Sequence, residues 1–356
     1  MSHATVMVKL TAKRLAAHRV HERGLVTRSA IDTALAEMMA PYNEQGDDKR
    51  FRVFEDEEDE IRQRYATEST TKIRTPEGDL LWSWDNRFRV PGSFGMGSDT
   101  HRTPADCQEV EVPFKELYPT LEAFAEDYIG HSERDPQHKR YGHWHNPNAK
   151  WDWYVIGGRW RGYFPIKPGV TATIGEAGAF DNEATPGHSD IVKIGDIDMD
   201  AVDCTTRARA EKFWSEWQAW LAGTYVETDP FSGPRSTALR IGLLDVAQGP
   251  ALSDHTQKAI SWAGQVPESD SRKDWHDVAK IMDRDAFMDR YLDCFNPIKT
   301  FAALDSDGWH EPGRMGWFGC ASDTPDQYVT FAREFMGRFV KNTGPDDLLV
   351  AVDYHI

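Results

Sequence analysis

The chain has 356 residues, a formal net charge of −17 and a hydrophobic content of 40%, with aromatic residues at 12%. Such a composition excludes a disordered protein, and the length allows one elaborated domain or two. The negative charge repels a phosphate backbone at long range, so we expect no binding of free nucleic acid.

The segment at the N-terminus lacks the charged start and long apolar core of a signal peptide, and no apolar run approaches the roughly 18 residues of a membrane span. The four cysteines lie far apart without a C-x-x-C pair, which favours a reducing compartment over a disulfide framework. We therefore expect no membrane partner and a cytoplasmic location.

The chain begins with a predicted strand, because apolar residues alternate along residues 4–10 and so share one face. Two amphipathic helices are predicted further along. Ser29 is the expected N-cap of the first and Thr120 of the second, and apolar residues follow each at helical spacing.

Six consecutive acidic residues occupy positions 55–60. Such a run is typical of a solvated helix start or loop. The alternative is an acidic surface that imitates DNA toward a basic partner.

The segment 146–160 is the most function-like part of the sequence, since it combines three tryptophans, a tyrosine, an acid and two bases with a glycine pair. If residues 151–156 form a strand, Trp151 and Trp153 face one side and Asp152 the other. The glycine pair after it permits a turn or close approach of the backbone to a ligand.

The side chains of this segment suit a flat, anionic ligand such as a nucleotide, because indole rings stack and a guanidinium binds phosphate. The candidate catalytic residues are Asp152 and Arg159. The candidate ligand-binding residues here are Asn146, Lys150, Trp151, Trp153, Tyr154, Gly157, Gly158 and Trp160. The alternative is that the tryptophans only fill the sheet core and that Asp152 only bridges Arg159 or Lys150.

His143 and His145 are weak candidates for metal binding, since an extended segment places both imidazoles on one face. A third ligand would have to come from elsewhere in the fold, for example from His101, from Asp152 or from the C-terminal segment with Asp353 and His355. The sequence identifies no cofactor and, in the absence of a nucleophile motif, no reaction.

The remaining elements are two helices and a strand. A helix over 205–222 has an apolar face with several tryptophans, which favours core packing over stacking on a cofactor. A capping box at Thr324 begins a helix with phenylalanines at intervals of four, which ends at Gly344. The segment 348–356 alternates like the first strand.

Both terminal strands expose one apolar face that needs cover, so we predict an α/β or α+β fold with a central mixed sheet that contains both strands, covered by helices. This sheet makes residues 1–356 a single elaborated domain. The segment 223–254 is rich in glycine and proline and marks a possible seam or insertion.

Four segments together resemble an uncharacterised family of proteins from bacteriophage and bacterial genomes: 1–3, 146–160, 315–320 and 352–356. The resemblance implies a phage-like setting, hence the cytoplasm of a host cell, and provides no catalytic residues. It also implies that the four segments belong to one fold, which adds Trp317 and His355 to the candidate ligand-binding residues.

Three functional hypotheses follow. The first is a phage-associated accessory protein that binds a nucleotide-like small molecule in a Trp/Asp/Arg pocket. This hypothesis has two forms, one in which the protein only binds the ligand and one in which it also modifies the ligand as an enzyme. The second is a noncatalytic acidic inhibitor or interaction protein that engages a basic host defence or nucleic-acid-handling protein. The third is a virion component, which would self-assemble.

Overall fold

The computed structural model describes residues 2–18, 26–90, 100–131, 133–178, 182–222, 224–225, 237–238, 241, 283–316 and 321–356. The chain divides into two compact units, of which the first comprises Met1–Glu44 with Asn148–Ile356 and the second Gln45–Pro147. The predicted single domain over residues 1–356 does not include this division, and the single-domain organisation stays a prediction. Most of the proposed seam at 223–254 lies outside the described residues.

Strands and helices are numbered in chain order. The strands are β1 His3–Leu10, β2 Val53–Asp56, β3 Ser69–Arg74, β4 Leu80–Leu81, β5 Arg89–Val90, β6 Thr100–His101, β7 Gln108–Pro113, β8 Gly142–His145, β9 Trp153–Gly158, β10 Phe164–Pro165, β11 Glu176–Ala177, β12 His188–Ser189, β13 Ile191–Lys193, β14 Ala302–Asp305, β15 Gly308–His310 and β16 Leu348–His355. The α-helices are α1 Ala12–Ala17, α2 Arg28–Met39, α3 Glu58–Thr67, α4 Phe114–Leu117, α5 Leu121–Phe124, α6 Met199–Leu221, α7 Arg284–Cys294 and α8 Pro325–Phe335. Single turns of 3₁₀-helix occupy Ala40–Tyr42, Lys49–Phe51, Asn86–Phe88 and Ile194–Asp196, and π-helical turns Ala125–Ile129 and Met336–Lys341.

A mixed sheet organises the first unit. Among the described residues it has seven strands, of which six follow the order β11-β9-β16-β1-β14-β15. The seventh, β13, lies on the same edge of β16 as β9: β13 pairs with residues 348–350 and β9 with residues 352–355. β1 pairs antiparallel with β16 over its whole length, from His3 opposite His355 to Leu10 opposite Leu348, and parallel with β14. The predicted fold class is confirmed, and the two terminal strands are direct neighbours.

Helices cover both faces of this sheet. On one face, Val6, Val8 and Val350 pack with α1 and α2. On the other, Met7 and Leu349 pack against an aromatic stripe formed by Phe331 and Phe335 of α8 and by Phe339 of the π-helical turn that follows. The sheet therefore lies between two apolar layers, because the helices on each face bury their apolar sides against it.

Local signals account for the helix starts. Thr324 forms the predicted capping box with Gln327 at the start of α8. Thr120 caps α5 as predicted. The N-cap of α2 is Thr27, whose hydroxyl accepts from Ala30 N, so the assignment of Ser29 to this position was wrong by two residues.

The helix predicted over 205–222 begins earlier, because Asp198 caps α6 through Ala201 N. Its Phe213, Trp217 and Trp220 side chains are buried against α7. These rings belong to a hydrophobic core, as their helical spacing favours.

The second unit contains the antiparallel sheet β4-β3-β7 and the antiparallel pair β2–β8. Helices α3, α4 and α5 surround an aromatic core that includes Phe114, Phe124 and Tyr141. Across the described part of the chain, no helix is long and apolar enough to span a membrane.

Candidate functional site at the histidine end of the central sheet

The tryptophan-rich segment does not form one continuous strand. β9 begins at Trp153, and Trp151 makes only an isolated bridge to Asn43. Trp151 is 8% exposed, its indole N–H donates to the Met39 carbonyl at 3.0 Å, and its ring packs edge-on against Tyr154. The predicted alternation was therefore wrong at Trp151, which belongs to the core on the face opposite Trp153.

Asp152 pairs with His355, the penultimate residue of the chain. Its Oδ1 lies 2.6 Å from His355 Nδ1, and its backbone N–H donates to the His355 carbonyl at 3.1 Å. The β9–β16 register, which sets Trp153 opposite His355, brings the two residues together. Asp152 thus bridges neither Arg159 nor Lys150.

A second carboxylate–imidazole pair lies beside the first. Asp353, which is fully buried, accepts from His3 Nδ1 at 2.8 Å and from Arg159 N at 2.9 Å. His3 and His355 are opposite each other in the β1–β16 register, and their ring centroids are 5.0 Å apart. Two imidazoles, each oriented through Nδ1 by a carboxylate, therefore stand side by side at this end of the sheet.

The two ring nitrogens of each imidazole have different roles. Since a carboxylate accepts hydrogen bonds, Nδ1 donates to it and Nε2 is presented on the other side of the ring. His355 Nε2 is enclosed and has no hydrogen-bond partner among the described residues. A buried polar atom normally has a partner, and a bound molecule that reached this nitrogen would supply one.

The glycine pair lets the backbone approach buried carboxylates. Gly157 and Gly158 have φ of +81° and +57°, and a Cβ at Gly158 would lie 2.3 Å from Asp353 Cβ and Oδ2. A Cβ at Gly157 would lie 2.6 Å from Asp190 Oδ2. The close approach that the sequence predicts toward a ligand is thus made, in the structure, toward Asp353 and Asp190.

Asp190 organises the loop that follows the glycine pair. It is fully buried and accepts from the backbone N–H groups of Gly162, Tyr163 and Gly175 at 2.7, 3.0 and 2.8 Å. Burial raises the pKa of this carboxyl, and the three N–H groups oppose the rise. Asp190 thereby holds the chain that presents Arg159 and Trp160.

Several side chains of the segment 152–160 are exposed or partly exposed. Trp153 is 44% and Trp160 37% exposed, Arg159 is exposed, and Asp152 is partly exposed. The Trp153 ring packs edge-on against His3 with a centroid distance of 6.0 Å. Stacking surface, positive charge and imidazole nitrogens are therefore combined in the first unit.

The other predicted site residues lie elsewhere. Tyr154 packs in the core, where burial raises the pKa of its hydroxyl. Asn146 is buried in the second unit. Trp317 lies outside the described residues.

Lys150 forms an ion pair of 2.7 Å with Glu311 and lines a groove of about 560 Å³. The other residues of this groove are Trp309, His310, Pro312, Asp326, Gln327, Thr330, Phe331 and Glu334. The groove includes three carboxylates, at Glu311, Asp326 and Glu334, which makes it unsuitable for an anionic ligand.

The acidic run at 55–60 is largely engaged by basic partners within the second unit. Glu58 is 4% exposed at its side chain and accepts from Arg62, Arg134 and the backbone of Tyr141. Burial alone would raise the pKa of Glu58, but these partners outweigh it and lower the pKa to about 2. The interpretation as a merely solvated run was wrong for this residue.

No family model matches this chain, and it matches neither a curated protein nor a solved structure. Its chemistry is therefore inferred from the geometry of its own side chains. Sequence reasoning missed His3 and Asp190 as site residues and considered Asp353 only as a possible metal ligand. The available signal was the polar residues at His3 and at Asp353 with His355 in mostly apolar terminal strands.

Proposed function

We propose that the first unit binds a nucleotide-like, anionic small molecule at the histidine end of its sheet, as an accessory protein in a phage-like setting. The observation that carries the proposal is the pair of adjacent Asp–His units, in which His355 Nε2 has no hydrogen-bond partner among the described residues and the exposed indole of Trp153 packs against His3. Indoles stack on bases, and an imidazole nitrogen hydrogen-bonds a base edge or hydroxyl.

Arg159 supplies the charge that this ligand needs. Its backbone N–H donates to Asp353, which fixes the backbone from which the side chain extends. Arg159 itself is exposed. A guanidinium matches the geometry of phosphate or carboxylate. This local positive charge opposes the repulsion that the net charge of −17 exerts on an anion.

The proposal extends to chemistry on the bound molecule. An imidazole oriented by a carboxylate is a common general acid or base. His355, which Asp152 orients, is the residue that we assign to proton exchange with the ligand. His3 and Asp353 form a second pair that either supports the first or shares the transfer.

The test uses Asp152→Ala combined with Arg159→Ala, and a panel of nucleoside mono- and triphosphates as the probe. Isothermal titration of the full chain measures the affinity. Arg28→Ala with Asp32→Ala is the matched control, because it removes an exposed Arg–Asp pair of 2.8 Å from α2 with the same change in charge.

We expect the site variant to bind at least about tenfold more weakly than the wild type, since losing one charge-assisted hydrogen bond costs roughly 1.5–3 kcal/mol. The control should bind like the wild type. Unchanged binding in a folded site variant contradicts the proposal.

The second candidate, an acidic inhibitor of a basic host protein, draws its support from the net charge of −17. Residues of the acidic run at 55–60 form ion pairs with Arg134 and Arg140, which reduces the negative charge that this run offers to a partner. This candidate predicts binding to basic nucleic-acid-handling proteins that weakens steeply with salt, since exposed charges are screened within about 10 Å at 0.1 M ionic strength. Salt-independent binding counts against it.

A further inference from the structure

Strands β2 and β8 place three potential metal ligands on one face. Glu55 lies directly opposite His143 in the antiparallel register, and Val53 lies opposite His145. Since side chains alternate along a strand and opposed residues share a face, Glu55, His143 and His145 project to the same side. The acidic run at 55–60 therefore supplies a carboxylate beside the two imidazoles, at the position where the sequence could not locate a third candidate ligand.

The distances fit a single bound ion better than they fit hydrogen bonds. Glu55 Oε2 lies 3.5 Å from both His143 Nε2 and His145 Nδ1, and one ligand atom from each of the three residues lies within 4.8 Å of the others. A good N–H···O hydrogen bond spans about 2.7–3.2 Å. Two atoms bound tetrahedrally to one Zn²⁺ at about 2.0–2.2 Å are about 3.4 Å apart.

The surroundings of His143 are those of a metal-bound imidazole. Its other ring nitrogen, Nδ1, lies 3.3 Å from Glu57 Oε2, and Glu57 is itself held by His131 Nε2 at 2.7 Å. Metal-bound histidines almost always donate their second N–H to a carboxylate or carbonyl, which fixes the ring. His145 Nδ1, the nitrogen closest to Glu55, is enclosed and lacks a hydrogen-bond partner in the described part of the chain.

We propose that Glu55, His143 and His145 form a binding site for a divalent transition-metal ion of the Zn²⁺ type, with Glu57 as the residue that orients His143. Two imidazoles and one carboxylate are a donor set that Zn²⁺ accepts, and three protein ligands leave a fourth position for water or another molecule. This site lies within the second unit and stands independently of the ligand site in the first.

The experiment titrates ZnCl₂ into the full chain by calorimetry and compares the wild type with His143→Ala, His145→Ala and Glu55→Gln. Side chains of Glu55 and His143 are about half exposed, at 57% and 48%, so these changes leave the hydrophobic core intact, which circular dichroism checks. His18→Ala is the matched control, because His18 pairs with a carboxylate, Glu37, at 3.0 Å and has no second histidine ring beside it among the described residues. Co²⁺ absorption reports whether nitrogen and oxygen or thiolate sulfur surround the ion.

We expect one Zn²⁺ per chain in the wild type and the control, and at least about tenfold weaker binding in each of the three variants. Glu57→Gln should weaken binding by roughly tenfold through His143. The proposal is overturned if the wild type binds no Zn²⁺, if the variants bind it as tightly as the wild type, or if the Co²⁺ spectrum shows thiolate coordination.

Discussion

Replacing Gly158 by alanine tests how closely the backbone must approach Asp353. The added Cβ would lie 2.3 Å from Asp353 Cβ and Oδ2, and Asp353 is fully buried and held by His3 and Arg159 N. The contact cannot be relieved by the far end of a flexible side chain, because Asp353 Cβ itself is among the closest atoms. Either the strand β16 or the turn at Gly158 must shift.

Gly169→Ala is the matched control. Gly169 also has a positive φ, +87°, but its Cβ would meet nothing within 4 Å. The backbone strain of an L-residue in this region costs roughly 1–2 kcal/mol, partly offset by about 0.4–1 kcal/mol from the stiffer unfolded chain. By backbone conformation alone, Gly158 at +57° is the milder position for alanine.

We predict the opposite order for the loss of stability: alanine should destabilise the protein more at Gly158 than at Gly169. Overpacking at Gly158 destabilises the fold by about 1–3 kcal/mol. The loss of the Arg159 N–H donor to the buried carboxylate of Asp353 destabilises it further, by about 1–3 kcal/mol. Gly158→Ala should therefore reduce the free energy of unfolding by roughly 2–6 kcal/mol more than Gly169→Ala, measured by urea denaturation. Equal losses in the two variants would refute the close approach to Asp353.

Two further predictions concern stability. Because the pKa of Glu58 is lowered from 4.5 to about 2, its ionisation stabilises the fold above pH 4.5 by roughly 3 kcal/mol, and this contribution is lost as the pH falls toward 2. Glu58→Gln should flatten that part of the stability–pH curve in acid denaturation, and a curve that stays as steep as that of the wild type would count against the Arg134–Glu58 pairing. Phe335→Ala, at a fully buried position of the α8 stripe, should cost about 3–5 kcal/mol in urea denaturation, and a loss below 1 kcal/mol would show that α8 does not cover the sheet.

The sequence predicts the elements whose signal is local. Alternation identified both terminal strands, and hydroxyl caps located the starts of α5 and α8. The two terminal strands were also expected in one sheet, because each has an apolar face that needs cover. These signals depend on neighbours within a few residues, which the sequence displays directly.

The site depends on contacts between distant residues, which local patterns do not contain. His3 and Asp353 are 350 positions apart, and Asp152 and His355 are 203 apart. Asp152 and Arg159 stood out because they lie among tryptophans, whereas the carboxylates that organise the loop, Asp353 and Asp190, lie in segments without such a signal. The alternation at Trp151 failed because β9 begins two residues later, where pairing with β16 begins.

The metal candidates show the same limit. The spacing of His143 and His145 correctly indicated two imidazoles on one face of a strand. Their partner Glu55 comes from β2, almost ninety residues earlier, and only the β2–β8 register brings it to them. Within the acidic run, the register thus separates Glu55, which faces the histidines, from Glu58, which is buried among arginines.

The most direct measurement of the ligand site is the nuclear magnetic resonance spectrum of imidazole-¹⁵N-labelled protein during titration with the nucleoside phosphate panel. We expect the resonance of His355 Nε2, and more weakly that of His3 Nε2, to shift on saturation, while His18 and His188 keep their resonances. Shifts confined to other histidines, or a spectrum that stays unchanged when calorimetry shows binding, would contradict a ligand site at the histidine end of the sheet.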